Sequence, residues 1–147
     1  MTLKLTLALL ASLFILQPAS AEIHVKPVEL ATEDVAAIRN IIIGQINAFQ
    51  KDDAQKAFSY ASPRIKERFQ TPETFLHMVR KSYQSVYRPQ TYKFLTIQNF
   101  DRKIVQPVTV IGRSGITETA LYIMEVQPDG SWRIGACIIA PEPGHAT

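Results

Sequence analysis

Residues 116–140 read ITETALYIMEVQPDGSWRIGACIIA, and this stretch decides the fold class. Ile116 to Gln127 is rich in β-branched and aromatic residues and predicts a long strand. Pro128-Asp129-Gly130 supplies the chemistry of a tight turn. Ser131 to Ala140 reads as a returning strand, with Trp132, Ile134, Ala136 and Ile138 on one face by alternation. Strands joined by so short a turn pair antiparallel.

Working outward toward the N-terminus, Ile104 to Ile111 is a further strand rich in Val and Ile. Pro107 lies inside it, which predicts an edge strand or a bulge. Asp101-Arg102-Lys103 and Arg113-Ser114-Gly115 read as turns. Tyr92, Phe94, Leu95, Ile97 and Phe100 form one more β-rich stretch, and the pattern changes at Arg88-Pro89.

The half of the domain before that point is helical. Thr32 is positioned to cap a first helix, with Glu33 and Asp34 in its first turn. Val35, Ile38, Ile41, Ile42, Ile46 and Phe49 recur at helical spacing, and the helix ends near Lys51. Asp52 or Asp53 caps a short helix with Ala57 and Phe58. Ser62-Pro63 and Thr71-Pro72 each place a capping residue before a proline, opening two more short helices. The first of these turns Ile65 and Phe69 inward; the second carries Phe75, Leu76, Met78 and Val79. Helices followed by about four strands with short connections predict an α+β domain, its helices packed on an antiparallel sheet.

The chain has 147 residues with 16 Lys and Arg against 13 Asp and Glu. Its first residues carry one lysine, Lys4, then an apolar run from Leu5 to Leu16, then Ala19-Ser20-Ala21. That order is the signature of a secretory signal peptide over residues 1–21, cleaved between Ala21 and Glu22. The run is shorter than the roughly 20 residues of a comfortable membrane span, so no stable span is expected after cleavage. Residues 22–31 read as an extended lead-in, 32–140 as a single domain and 141–147 as a flexible tail. A domain of this size buries roughly two thirds of its unfolded surface and needs no staple. Cys137 is the only cysteine, which excludes an internal disulfide and predicts a small buried residue. The basic residues are scattered, and a nucleic-acid partner is not expected.

Several blocks occur in a recognisable order. They are Gln45-Ile46-Asn47-Ala48-Phe49-Gln50-Lys51-Asp52-Asp53, Ala57-Phe58-Ser59-Tyr60-Ala61-Ser62-Pro63, and Phe75 with Met78-Val79-Arg80. Tyr83, Val86, Arg88-Pro89 and a late Trp132-Arg133-Ile134 follow. This series resembles the bacterial family called domain of unknown function 4864, over roughly Ile38 to Ile139. Two places depart from it: Gln70, where a glycine is expected, and Gly135-Ala136-Cys137. The resemblance implies a fold like nuclear transport factor 2, a curved sheet wrapped by helices around a cone-shaped cavity. It also implies a Gram-negative bacterium, hence export to the periplasm, with secretion as the alternative. It supplies no catalytic residues, and folds of this type serve many functions.

His77 is the only histidine inside the predicted domain, since His24 and His145 lie outside it. No histidine or cysteine spacing fits a metal, and no cofactor motif occurs. Tyr83, Tyr87 and Tyr92 gather at the helix-to-sheet junction with Arg80 and Arg88. Hydroxyls and flat guanidiniums at such a place suit an anionic or aromatic small molecule. The candidate pocket mouth is therefore His77, Arg80, Tyr83, Tyr87, Arg88 and Tyr92. Glu118 and Glu125 fall on opposite faces of the long strand by parity and cannot form a paired-carboxylate site. Ser62 lacks a nucleophile context and reads as a cap. The expected role is a non-catalytic module binding a small ligand or a protein. One alternative is a small cavity enzyme using His77 or a strand carboxylate. The other is a domain that forms a homodimer through an exposed sheet face.

Overall fold

The computed structural model describes residues 30–140. The signal peptide with its cleavage point, most of the lead-in, the tail, His24 and His145 lie outside the described residues. Helix α1 spans Thr32–Gln50. Ile38, Ile42 and Ile46 are fully buried along it and Phe49 nearly so. Burying each such side chain stabilises the fold by about 1.5–3 kcal/mol. Ala31, not Thr32, occupies the cap position, and no side chain caps the helix. Asp34 in the first turn accepts a hydrogen bond from Trp132 Nε1 at 2.8 Å, tying the first helix to the last strand.

Helix α2 (Ala54–Ser59) is capped by Asp53, whose carboxylate accepts from the Lys56 N–H at 2.9 Å. Helices α3 (Pro63–Phe69) and α4 (Pro72–Ser82) begin at the two prolines, as expected. Thr71 caps α4 through the Thr74 N–H at 3.2 Å. Ser62 holds the cap position of α3 but its buried hydroxyl has no partner. Its backbone N–H donates instead to Ile134 O at 2.9 Å. A short α5 (Gln84–Tyr87) follows, with no counterpart in the sequence reading.

The sheet is antiparallel and has five strands. They are β1 (Thr91–Phe94), β2 (Gln98–Phe100), β3 (Lys103–Ile111), β4 (Thr117–Val126) and β5 (Trp132–Ala140). Their order is β1-β3-β4-β5, with β2 also paired to β3. The α+β class stands, and the extra strand comes from a break in the stretch from Tyr92 to Phe100. Pro107 causes it. Phe94 pairs with Val108, and the Leu95 N–H donates to Pro107 O at 3.0 Å. Proline has no N–H to return to Leu95 O. The neighbouring Gln106 side chain takes over that donation, Nε2 reaching Leu95 O at 2.8 Å. Pairing resumes at Gln98 opposite Val105. Pro107 therefore sits in an interior strand, not at an edge, and its irregularity appears in the partner.

A second irregularity lies in β5. Ile123 pairs with Ala136 but Met124 with Ile134, leaving Gly135 as an extra residue. A Cβ at Gly135 would come within 2.2 Å of the Glu125 carboxylate, so glycine makes room for that side chain. The bulge switches the alternation. Trp132 and Ile134 are followed on the buried face by Cys137 and Ile139, partners of Tyr122 and Ala120. Ile138 points the other way and is 51 % exposed, which corrects its assignment to the face of Trp132. The helices cover the face of Val108, Val110, Ala120 and Tyr122, all fully buried.

Candidate functional site

Two cavities flank the junction between α4 and α5. The first, about 240 Å³, is lined by α1, α3, α4, α5 and β5. Phe75 lines it, with ring centroids 6.1 Å from Phe49, 5.4 Å from Phe58 and 5.6 Å from Phe69. The helical spacing of Phe75, Met78 and Val79 aims all three into this space. Ile134 and Cys137 form the sheet wall on either side of the bulge. Polar groups at the lining are few: Gln45, Arg68, Tyr83 and the Cys137 thiol. Gln45 is buried and donates through Nε2 to Ala57 O at 3.2 Å. The Arg68 guanidinium lies 5.6 Å from the Phe69 ring centroid. Burial among apolar groups pushes the Cys137 thiol up to about 12.

The second cavity is a wider cleft of about 590 Å³ between α4–α5 and the β3–β4 turn. Gly112 brings that turn against α5, because a Cβ there would stand 3.2 Å from Ser85 Cα. Arg80, Lys81, Arg88 and Arg113 line the cleft, with Glu118 as its one carboxylate. Behind two of these arginines stands Asp52, at the end of α1 with a φ of 55°. Arg80 Nη2 donates to Asp52 Oδ1 at 2.8 Å and Arg88 Nη2 to Oδ2 at 2.7 Å. The Tyr87 hydroxyl donates to Asp52 and accepts from Arg80 Nε at 2.9 Å. Both guanidiniums also lie over the Tyr87 ring, at 5.5 Å and 5.0 Å. The Tyr87 hydroxyl and then Arg80 hold the Asp52 carboxyl below the usual carboxylate range. The Arg88 Nε is buried without a partner.

The six residues expected at one pocket mouth are distributed as follows. Arg80, Tyr83, Tyr87 and Arg88 come together in the basic cleft. Of these, Tyr83 also reaches the apolar pocket. His77 is exposed on α4 and lines neither cavity. Tyr92 packs edge-on against Phe94 on β1, away from both. Glu125 pairs with Arg64 at 3.0 Å, while Glu118 faces the cleft, so the parity argument holds. Of Asp52 and Asp53, the two candidates for the α2 cap, Asp53 has that role and Asp52 organises the arginines. Its partners lie far along the chain, and no local pattern announces them. Among the described residues, no group of three His, Cys, Asp or Glu could hold a metal ion. No described helix is long and apolar enough to cross a membrane.

A family model described as a domain of unknown function (DUF4864) matches residues 31–147. No curated protein and no solved structure matches the chain.

Proposed function

The chain belongs to the domain of unknown function (DUF4864) family, and on that premise we propose that it is an exported binding module whose small, mainly apolar ligand occupies the pocket around Phe75. One observation carries this reading: a cavity of about 240 Å³ walled by Phe49, Phe69, Phe75, Met78 and Ile134 inside the helix–sheet sandwich. An apolar cavity of roughly 150 Å³ is enough to take up benzene. The ligand class is therefore a small ring system or a short acyl chain. Arg68 at the lining offers a cation to any carboxylate it carries. A cone-shaped fold like nuclear transport factor 2 is compatible with this placement of the pocket.

The test is saturation-transfer NMR with indole and with octanoate as probes. The wild type is expected to bind at least one of them. Met78→Trp fills the space from a half-buried position, and its binding is expected to fall at least tenfold with the circular dichroism spectrum unchanged. Equal affinity in the filled variant would sink the reading. Self-association through the open sheet face is the second reading. It draws on Ile138, 51 % exposed beside the half-buried Leu121 and Ile123. Sedimentation velocity of the wild type and of Ile138→Lys decides it, a monomer in both cases removing the idea.

A further inference from the structure

We propose that the cleft between α4–α5 and the β3–β4 turn is a second ligand site, separate from the apolar pocket, and that it takes a phosphate-bearing anion. Four cationic side chains, Arg80, Lys81, Arg88 and Arg113, line this one cleft. The chain as a whole exceeds neutrality by only +3. Against them stand Glu118 in the lining and Asp52 behind it, which leaves a local surplus of two positive charges.

The arrangement is built rather than scattered. Asp52 spends each carboxylate oxygen on a different guanidinium, and the Tyr87 ring lies under both. The two flat donor groups are thereby fixed in direction, so less side-chain freedom is lost when an anion arrives. Each guanidinium has five N–H donors, and Asp52 and Tyr87 use only part of that number. Lys81 and Arg113 are exposed and make no ion pair among the described residues. The hydroxyls of Ser82, Ser85 and Ser114 share the cleft and supply neutral donors. Planar donors, exposed cations and hydroxyls match the several oxygens and multiple charge of a phosphate better than the single charge of a carboxylate.

The experiment titrates the folded protein with inorganic phosphate, pyrophosphate, glycerol 3-phosphate and acetate, following amide shifts by NMR. All three phosphates are expected to move the amides of residues 81–88 and 112–116, with acetate at least tenfold weaker. Tightest binding by inorganic phosphate identifies the free ion as the ligand; tightest binding by glycerol 3-phosphate identifies a phosphate ester. The double variant Lys81→Ala with Arg113→Ala removes side chains that have no bonding role in the fold. It is expected to weaken phosphate binding at least tenfold and to leave indole or octanoate affinity untouched. Absence of cleft shifts, acetate binding as tight as phosphate, or unchanged phosphate affinity in the double variant would each overturn the proposal. The apolar-pocket reading would survive any of these results, since its probes and its Met78→Trp variant act elsewhere.

Discussion

The apolar pocket and the basic cleft lie on either side of Tyr83 and are held open by opposite means. Aromatic and aliphatic side chains surround the pocket, and its shape depends on packing. The cleft is held by hydrogen bonds and ion pairs among exposed groups. Asp52 is 40 % exposed, Arg80 47 % and Arg88 36 %. Packed apolar walls contribute strongly to stability, whereas exposed ion pairs contribute little to it. The difference is one of support within one small domain: the pocket belongs to the core, and the cleft can change at little cost to the core.

The strongest way to break this contrast is Phe75→Ala. Phe75 touches three other rings, and its loss is expected to cost about 3–5 kcal/mol in urea unfolding. A cost near zero would show that the rings around the pocket do not form part of the core. A second effect concerns Cys137, whose thiol is held at about 12. Below that value the folded protein keeps it protonated, and only the thiolate reacts. Iodoacetamide at pH 8 is expected to label it at least a hundredfold more slowly in the native protein than in urea. Fast native labelling would mean that the pocket wall is wet.

Gln70 offers a smaller effect, beside the pocket wall formed by Phe69. It ends α3 with a φ of 64°, in the left-handed region that suits glycine. Gln70→Gly is expected to stabilise the fold by roughly 0.5–1 kcal/mol in the same urea assay. Loss of stability would mean that the Gln70 side chain supports the wall. The smallest effect is expected in the cleft. The Asp52 pKa lies below its ordinary 3.8 in the folded protein. Its contribution is therefore complete above that value and is lost as pH falls through the folded pKa. Thermal midpoints of the wild type and Asp52→Asn should differ modestly at neutral pH and converge in acid. A gap that widens in acid would contradict the pairing.

The helices and most strands were legible because their signals are local. Proline after a capping residue, helical spacing from Val35 to Phe49 and the Pro128-Asp129-Gly130 turn each act within a few residues. The glycine that the family resemblance implies at position 70 finds its physical reason in the positive φ of Gln70. What escaped depends on distant contact. The bulge at Gly135 shifted every later side chain of β5, so Cys137 replaced Ile138 on the buried face. Of the clustered candidates, Arg80, Tyr83, Tyr87 and Arg88 share the cleft while His77 and Tyr92 line neither cavity, because nearness in sequence does not fix which way a side chain faces. Asp52 was hidden by its plausible role beside Asp53.

Gln106 and Pro107 have a consequence for how the sheet finds its alignment. Only one pairing of β1 with β3 lets the Leu95 carbonyl meet the Gln106 amide while the Leu95 N–H meets Pro107 O. A slip of β1 by one residue would part the Leu95 carbonyl from the Gln106 amide and turn Tyr92 and Phe94, which pair with Val110 and Val108, away from the core face. The interruption thus works as a reference mark on a ruler: a misaligned β1 loses both bonds, and the residue pair that breaks the strand also calibrates it.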